Sequence, residues 1–391
     1  MLMFEGHLDI AFNALVHERD PLWTVEETRQ RELDPPCDDG RGICTTSFPE
    51  MRVANIPVAV TTLLGRAKPW VKPGRDRAHG DGDWPTQEMV YALAQGQLAY
   101  YRLLETQGHV RILETAAQLR AHWAEWKAAY ESETDDSGGE SGGDSGGASG
   151  GEVPLGLIIT MECSDPIIEP TQLHQWYDQG LRALFLTHFG MGHYAAGNPS
   201  VPPNPYDVDG PVSPRGVELL REMEKLSMPL DLTHTSDSSF WDAIERYPGP
   251  VYSSHANCRA ISNEQRQLTD DMIKAIIDRD GVLGVVLAIN MIRVDLIEGP
   301  PWTPLSHDVQ LHHLADHIDH ICQLAGNTDH IALGTDTDGG FGTEACPHGY
   351  DRHRDIHKLA DILRDRGYAE SDLAKLFHQT WLDFYLRVLP A

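Results

Sequence analysis

Residues 229–258 read PLDLTHTSDSSFWDAIERYPGPVYSSHANC, and one pattern occurs in them twice. A short apolar run, 229–233, meets His234; a helical pattern follows; a second apolar run, 250–254, then meets His255. Short runs rich in Val, Ile and Leu that alternate with helical patterns are the sequence form of buried parallel strands joined by crossover helices. Working outward, further runs of this kind stand at 2–6, 56–63, 155–161, 183–187, 282–289 and 331–335, which makes eight in all. Helix start signals fall between them: Thr24 ahead of Glu27, Ser213 followed by Pro214, and Thr269 followed by two aspartates each read as an N-cap with a suitable first turn. Eight strands alternating with helices predict an α/β fold, a (β/α)8 TIM barrel of the metallo-dependent hydrolase type, taken as one catalytic domain over 1–391. A doubly wound open sheet is the alternative, because strand counting errs easily by one.

The residues that end these runs share a chemistry. His7 with Asp9 follows the first run, Glu162 the third, His188 the fourth, His234 the fifth, His255 the sixth and Asp336 the eighth. In a closed barrel the C-terminal strand ends form one ring, where the active sites of such barrels lie, so residues hundreds of positions apart converge there. Each element alone is weak: H-x-D recurs as His317–Asp319 and His353–Asp355 in helical contexts, and a single histidine is more often structural. Repetition at one strand position is what carries the reading. Imidazole and carboxylate without thiolate suit zinc or a similar divalent ion in an open site. Two ions can be held if a carboxylate bridges them, and Glu162 is the natural bridge, with His7 and Asp9 on one ion and His234 and His255 on the other. A carbamylated lysine cannot take that place at the third or fourth strand, since no lysine occurs between Lys127 and Lys225. Water caught between two such ions loses a proton near neutral pH and becomes a nucleophile, with Asp336 handling protons.

Composition bounds the partners. Thirty-one basic against fifty-nine acidic residues give a net charge of −28, which repels nucleic acid and anionic membrane surfaces. No stretch approaches the roughly 18 to 20 apolar residues of a membrane span, and neither a basic n-region nor a long apolar run opens the chain, so the expected compartment is the cytoplasm. Six scattered cysteines form no C-x-x-C pair. Cys37 and Cys44 share a Pro/Gly/Asp-rich loop where a disulfide is one reading and free thiols the other. The Gly/Ser/acidic tract at 131–152, ESETDDSGGESGGDSGGASGGE, reads as a flexible surface insertion, with an acidic partner-binding segment as the lesser alternative.

The segments GHLDIAFN (6–13), LIITMEC (157–163), FLTHF (185–189), LDLTHTSDSSFWDAIE (230–245), PVYSSHANCRAISNEQRQL (250–268) and HIALGTDTDGG (330–340) resemble those of the membrane or renal dipeptidase family of zinc peptidases. The resemblance, to a bacterial-type member without the animal enzymes' signal peptide and lipid anchor, implies two Zn2+ on the five ligands named above. It also implies two roles that strand position does not give: His188 contacting the scissile carbonyl oxygen, and Arg266 binding the substrate's C-terminal carboxylate. The activity implied is hydrolysis of dipeptides, including those with a C-terminal D-residue, through a water or hydroxide between the two metals. Family members are commonly dimeric, but no interface signal is readable here. Asp338 is expected to be structural. Asn290-Met291-Ile292 stands where the family often places a tyrosine, and the Pro-rich stretch at 198–211, in the loop after His188, looks like a second insertion. Two other readings remain: a binuclear amidohydrolase or tailoring enzyme acting on a non-dipeptide amide, and a catalytically dead binding scaffold.

Overall fold

In the computed structural model, the structure describes residues 1–33, 42–69, 82–136, 153–199, 207–299 and 306–391. The eight apolar runs are the eight strands of a parallel barrel: β1 (Phe4–Leu8), β2 (Val58–Leu64), β3 (Leu155–Glu162), β4 (Leu181–Phe185), β5 (Leu230–Asp231), β6 (Val251–Tyr252), β7 (Leu283–Val285) and β8 (Ile331–Leu333). They pair in chain order, β1 through β6 in one ladder and β7 with β8 in another. A parallel bridge between Ser253 and Leu283 joins the two. Sequential order with every pairing parallel rules out the doubly wound alternative, in which the order would reverse.

The ring closes between β8 and β1 by close approach rather than by a long ladder. A Cβ on Gly6 would sit 2.7 Å from the Leu333 carbonyl oxygen and 2.6 Å from Trp381 Nε1, so only glycine admits this contact. Trp381 Nε1 donates to that same carbonyl at 2.8 Å. Glu5 completes the seam: its carboxylate accepts the Thr335 backbone N–H and hydroxyl, each at 2.8 Å.

Period-two alternation divides the core. Phe4, Val58, Val60, Ile158, Ala183, Tyr252 and Ala332 cluster with Trp123, Trp381, Phe384 and Tyr385. Their neighbours Ala59, Leu63, Leu157, Ile159 and Leu184 pack in the larger cluster with the surrounding helices. The three expected N-caps form. Thr24 and Glu27 exchange hydrogen bonds as a capping box, Ser213 Oγ accepts from Gly216 N, and Thr269 Oγ1 accepts from Met272 N.

Sequence and structure part at the edges. β1 runs two residues further than its apolar run, because Leu8 still pairs with Thr61, so His7 lies inside the strand. The seventh run leaves the sheet after Val285, and its last residue opens the short helix Ile289–Arg293. An extra strand, Val110–Ile112, pairs with the first part of β3. The helix Ala116–Asp136 takes the first six residues of the tract expected to be loop. The remainder of that tract, 137–152, lies outside the described residues, as does Cys37; Cys44 is a free, buried thiol that burial pushes up to about 12.

Three histidines away from the barrel mouth are held neutral, His122 and His317 fully buried and His378 partly so. His317, one of the H-x-D decoys, accepts Cys258 N on Nδ1 and donates Nε2–H to the Ile292 carbonyl. Desolvation lowers His122, His317 and His378 each to about 4. The folded chain therefore keeps them uncharged while the unfolded chain protonates them below about 6.5. Their stabilisation is complete above that pH and is lost as the pH falls toward 4, by about 2–3 kcal/mol per fully buried group. We expect the urea midpoint to drop across this window and to drop less steeply in His317→Gln; an unchanged slope would remove His317 from this account.

Candidate metal centre

Four of the site residues stand three positions past the end of a strand: His188 after Phe185, His234 after Asp231, His255 after Tyr252 and Asp336 after Leu333. His7 lies in β1, Asp9 just beyond it, and Glu162 ends β3. The turns are sharp: His234 (φ 66°) and Asp336 (φ 55°) adopt left-handed backbone, which non-glycine residues seldom take unless surrounding structure imposes it. All seven side chains are buried at one mouth of the barrel. Every residue singled out from the sequence for metal or proton chemistry is thus brought to one place.

Glu162 is the centre of the cluster. Its Oε2 lies 3.4 Å from His7 Nε2, while its Oε1 lies 3.2 Å from His234 Nε2, 3.4 Å from His188 Nε2 and 3.5 Å from His255 Nε2. The two oxygens thus face opposite halves of the ring. His7 Nε2 is also 3.9 Å from Asp9 Oδ1 and 3.7 Å from Asp336 Oδ1. Two nitrogens of a tetrahedral zinc ion stand about 3.3 Å apart for bonds of about 2.0–2.1 Å, and the spacings around Oε1 match. Three overlapping groups could each hold an ion: His7, Glu162 and His255; Glu162, His188 and His234; His7, Asp9 and Asp336. The second brings His188 to ligand distance, which the sequence did not anticipate.

Hydrogen bonds outside the cluster aim these atoms inward. His234 Nδ1 is 3.2 Å from Asn198 Oδ1, and His255 Nδ1 is 2.8 Å from Ser254 Oγ. The Asn198 oxygen can only accept, so His234 carries its proton on Nδ1 and leaves Nε2 bare. His234 Nε2 and His255 Nε2 then lie 3.2 Å apart. His7 Nε2 and Glu162 Oε2 are buried without a hydrogen-bond partner. Orphaned acceptors converging in a dry pocket are costly unless a cation meets them. The donor set therefore fits divalent metal.

Electrostatics agree. Burial lowers His7 and pushes His188, His234 and His255 well below the ordinary histidine range, keeping the imidazoles neutral as ligands must be. Burial, and then the charge of Glu162, raises Asp9 to about 7; burial raises Glu162 to about 8. Asp336 is raised well above the carboxylate range by burial and by the Asp9 and Glu162 charges.

Arg266, buried beside the cluster, donates from Nη2 to the His255 carbonyl at 2.8 Å, and its Nε and Nη1 are buried without a partner. Desolvation lowers it to about 10, still charged at neutral pH. A desolvated guanidinium with unmet N–H groups is a receptor for an anion. Asp338 is structural as expected, accepting the Thr45 N–H and hydroxyl and the Thr46 N–H. Asn290 lies against the arginine's loop, 3.4 Å from Glu264 Oε2.

Sequence reasoning missed the supporting residues. Asn198 opens the stretch taken for an insertion, whose residues 200–206 lie outside the described set. The Thr62 hydroxyl donates to Asp9; Arg66 touches His188 Nδ1 at 2.8 Å; Glu5 accepts His7 N and is held by His353 Nε2 at 2.9 Å. None carries a motif.

Residues 150–391, well over half of the chain, match the family model described as Membrane dipeptidase (Peptidase family M19). The chain belongs to the membrane dipeptidase family. Membership makes it a hydrolase of a metal-dependent kind. The matched span holds Glu162, His188, His234, His255, Arg266 and Asp336, and the barrel adds His7 and Asp9 from outside it. Among related proteins, an uncharacterized protein in the pqqA 5′ region of Klebsiella pneumoniae is 30% identical over 219 residues, covering 55% of this chain and 74% of that protein. The uncharacterized dipeptidase C3A11.10c of Schizosaccharomyces pombe is 28% identical over 215 residues, which span 53% of this chain but only 46% of that protein. A metallo peptidase from Rhodobacter sphaeroides, solved with a phosphinate mimic of the dipeptide L-Ala-D-Ala, superposes with a TM-score of 0.73 over 100% of this chain and 99% of that chain at 21% identity, a likeness of fold. No helix among the described residues is long and apolar enough to cross a membrane.

A ligand-orienting partner of this kind is worth about 10- to 100-fold in metal affinity. Asn198→Ala should weaken metal retention by that factor in a chelator competition while leaving the circular dichroism spectrum unchanged; full retention would show that Asn198 does not orient His234.

Proposed function

We propose that this member of the family is a two-zinc dipeptidase whose catalytic unit is one barrel over 1–391. The observation that carries the reading is the juxtaposition of the Glu162 cluster with Arg266, a buried guanidinium that keeps two N–H groups unpartnered. A neutral amide can only accept a hydrogen bond from such a group, whereas the terminal carboxylate of a dipeptide also offsets its buried charge. His7 and Asp9 would hold one ion, His234 and His255 the other, and Glu162 would contribute one oxygen to each. When bound, the ions supply Lewis acidity: they polarise a carbonyl and make water acidic enough to lose its proton near neutral pH.

The chain's own groups do the rest. Arg266 clamps the carboxylate and fixes the distance from the C-terminus to the scissile bond, which limits the enzyme to very short substrates. His188 donates to the carbonyl oxygen as negative charge develops there. Asp336, at the mouth beside His7, takes the proton of the attacking water and passes it to the leaving amine. Arg266 binds the carboxylate whatever the configuration of the residue bearing it, which supports tolerance of a C-terminal D-residue.

The test is a release assay across L,L and L,D dipeptides with zinc-reconstituted protein, alongside metal analysis. Turnover with two bound metals is expected. Two metals without dipeptide turnover would overturn the substrate and favour a non-dipeptide amide. Arg266→Met should raise KM for dipeptides by about 30- to 1000-fold, the worth of a desolvated charge-assisted pair, with metal content unchanged; an unaltered KM would remove the clamp.

A further inference from the structure

Beyond β2 the chain forms a small ladder of its own, Arg66–Ala67 paired with Asp83–Trp84, and two cations, Arg66 on this short strand and Lys68 just past it, reach toward His188 and the backbone that follows it. Lys68 Nζ donates to the carbonyls of Phe189 and Met191 at 2.7 and 2.8 Å, fixing the backbone that follows His188. Arg66 acts on the ring itself. Its Nε lies 2.6 Å from Asp83 Oδ1, and its Nη1 lies 2.8 Å from His188 Nδ1.

A guanidinium nitrogen only donates, so His188 Nδ1 must accept. An imidazolium carries a proton on both nitrogens and has none free to accept, so a ring that accepts at Nδ1 is neutral and has one proton. That proton is then on Nε2, the atom 3.4 Å from Glu162 Oε1. His234 is arranged the other way: Nδ1 faces the Asn198 oxygen, and Nε2 faces Arg266 Nη2, another obligate donor, at 3.4 Å. The two rings stack at 3.9 Å between centroids, yet one presents a lone pair to the site and the other an N–H.

We propose that Arg66 is a positioning residue that holds His188 as the Nε2–H tautomer, which takes His188 out of the metal-ligand set and makes it a hydrogen-bond donor to the reacting carbonyl. The donor role rests on the dipeptidase reading above; the tautomer does not. A nitrogen that carries a proton has no lone pair to give an ion, so the grouping of Glu162, His188 and His234 holds only two ligands of its own.

The test uses the zinc-loaded protein labelled with 15N-histidine, with His188 assigned by the signal lost in His188→Asn. Long-range proton–nitrogen correlation should show a pyrrole-type Nε2 and a bare Nδ1 for His188. A proton on Nδ1, or a metal-bound Nε2, would overturn the proposal. In Arg66→Met the His188 signals should shift toward the other tautomer, and kcat on a cleaved dipeptide should fall by about 10- to 100-fold, less than outright loss of an oxyanion donor, with KM within about threefold. Metal content should stay at the wild-type value. Arg66→Lys, which keeps a donor, should recover most of the loss. An unchanged kcat in Arg66→Met, or loss of metal with it, would also overturn the proposal. If wild type cleaves no dipeptide, the substrate reading fails while the tautomer spectrum still decides the role of Arg66; if Arg66→Met does not fold, the wild-type spectrum and Arg66→Lys decide it.

Discussion

The structure turns on a desolvated carboxylate. Glu162 ends a fully buried strand and faces four imidazole nitrogens between 3.2 and 3.5 Å away. Such a group is unfavourable by itself, since burial opposes its charge and its Oε2 finds no hydrogen-bond partner. The barrel tolerates it because five other strands, β1, β4, β5, β6 and β8, deliver complementary groups to the same mouth. The left-handed turns at His234 and Asp336 belong to the same constraint. Local strain is accepted where a side chain must leave a strand end at a steep angle.

Around this centre runs a layer of hydrogen bonds that decides what each identical side chain is for. Four histidines meet at the mouth, and their chemistry differs through their outer partners: an amide oxygen for His234, a hydroxyl for His255, a guanidinium for His188. Ring orientation and proton placement are thereby separated from the ligand atoms themselves. Arg266 is treated differently, with only one nitrogen anchored to a backbone carbonyl. The fold thus distinguishes groups that must be satisfied beforehand from a group kept for a visitor.

Much of this was legible because two periodicities coincide. Strand alternation marks where buried runs end, and barrel closure converts equivalent ends into neighbours, so His7, Glu162, His188, His234, His255 and Asp336 could be placed together without any contact being known. Arg266 is different: it sits in a loop, and only the family resemblance singled it out. Asn198, Arg66, Thr62 and Glu5 gave no signal, since their roles depend on which atom of a ring they meet. Asn198 was hidden by proline-rich surroundings that read as an insertion. The His317–Asp319 and His353–Asp355 pairs show the converse: in helical settings the histidines of the same motif became buried structural groups, His353 holding Glu5 behind the site. Edge errors were small and had local causes, such as the Leu8–Thr61 pairing that carries β1 past its apolar run.

The seam at Gly6 bears on how the molecule comes into being. The first strand is seated by Trp381 and the Leu333 carbonyl, contacts that span more than 300 residues of sequence. On a growing chain, β1 can already lie against β2, but its other edge stays open until the last strand and residue 381 have emerged. Such long-range closure is slow and leaves an open edge meanwhile. The pocket is therefore complete only when the last strand brings Asp336 beside His7, so that maturation of the centre and completion of the fold become one event.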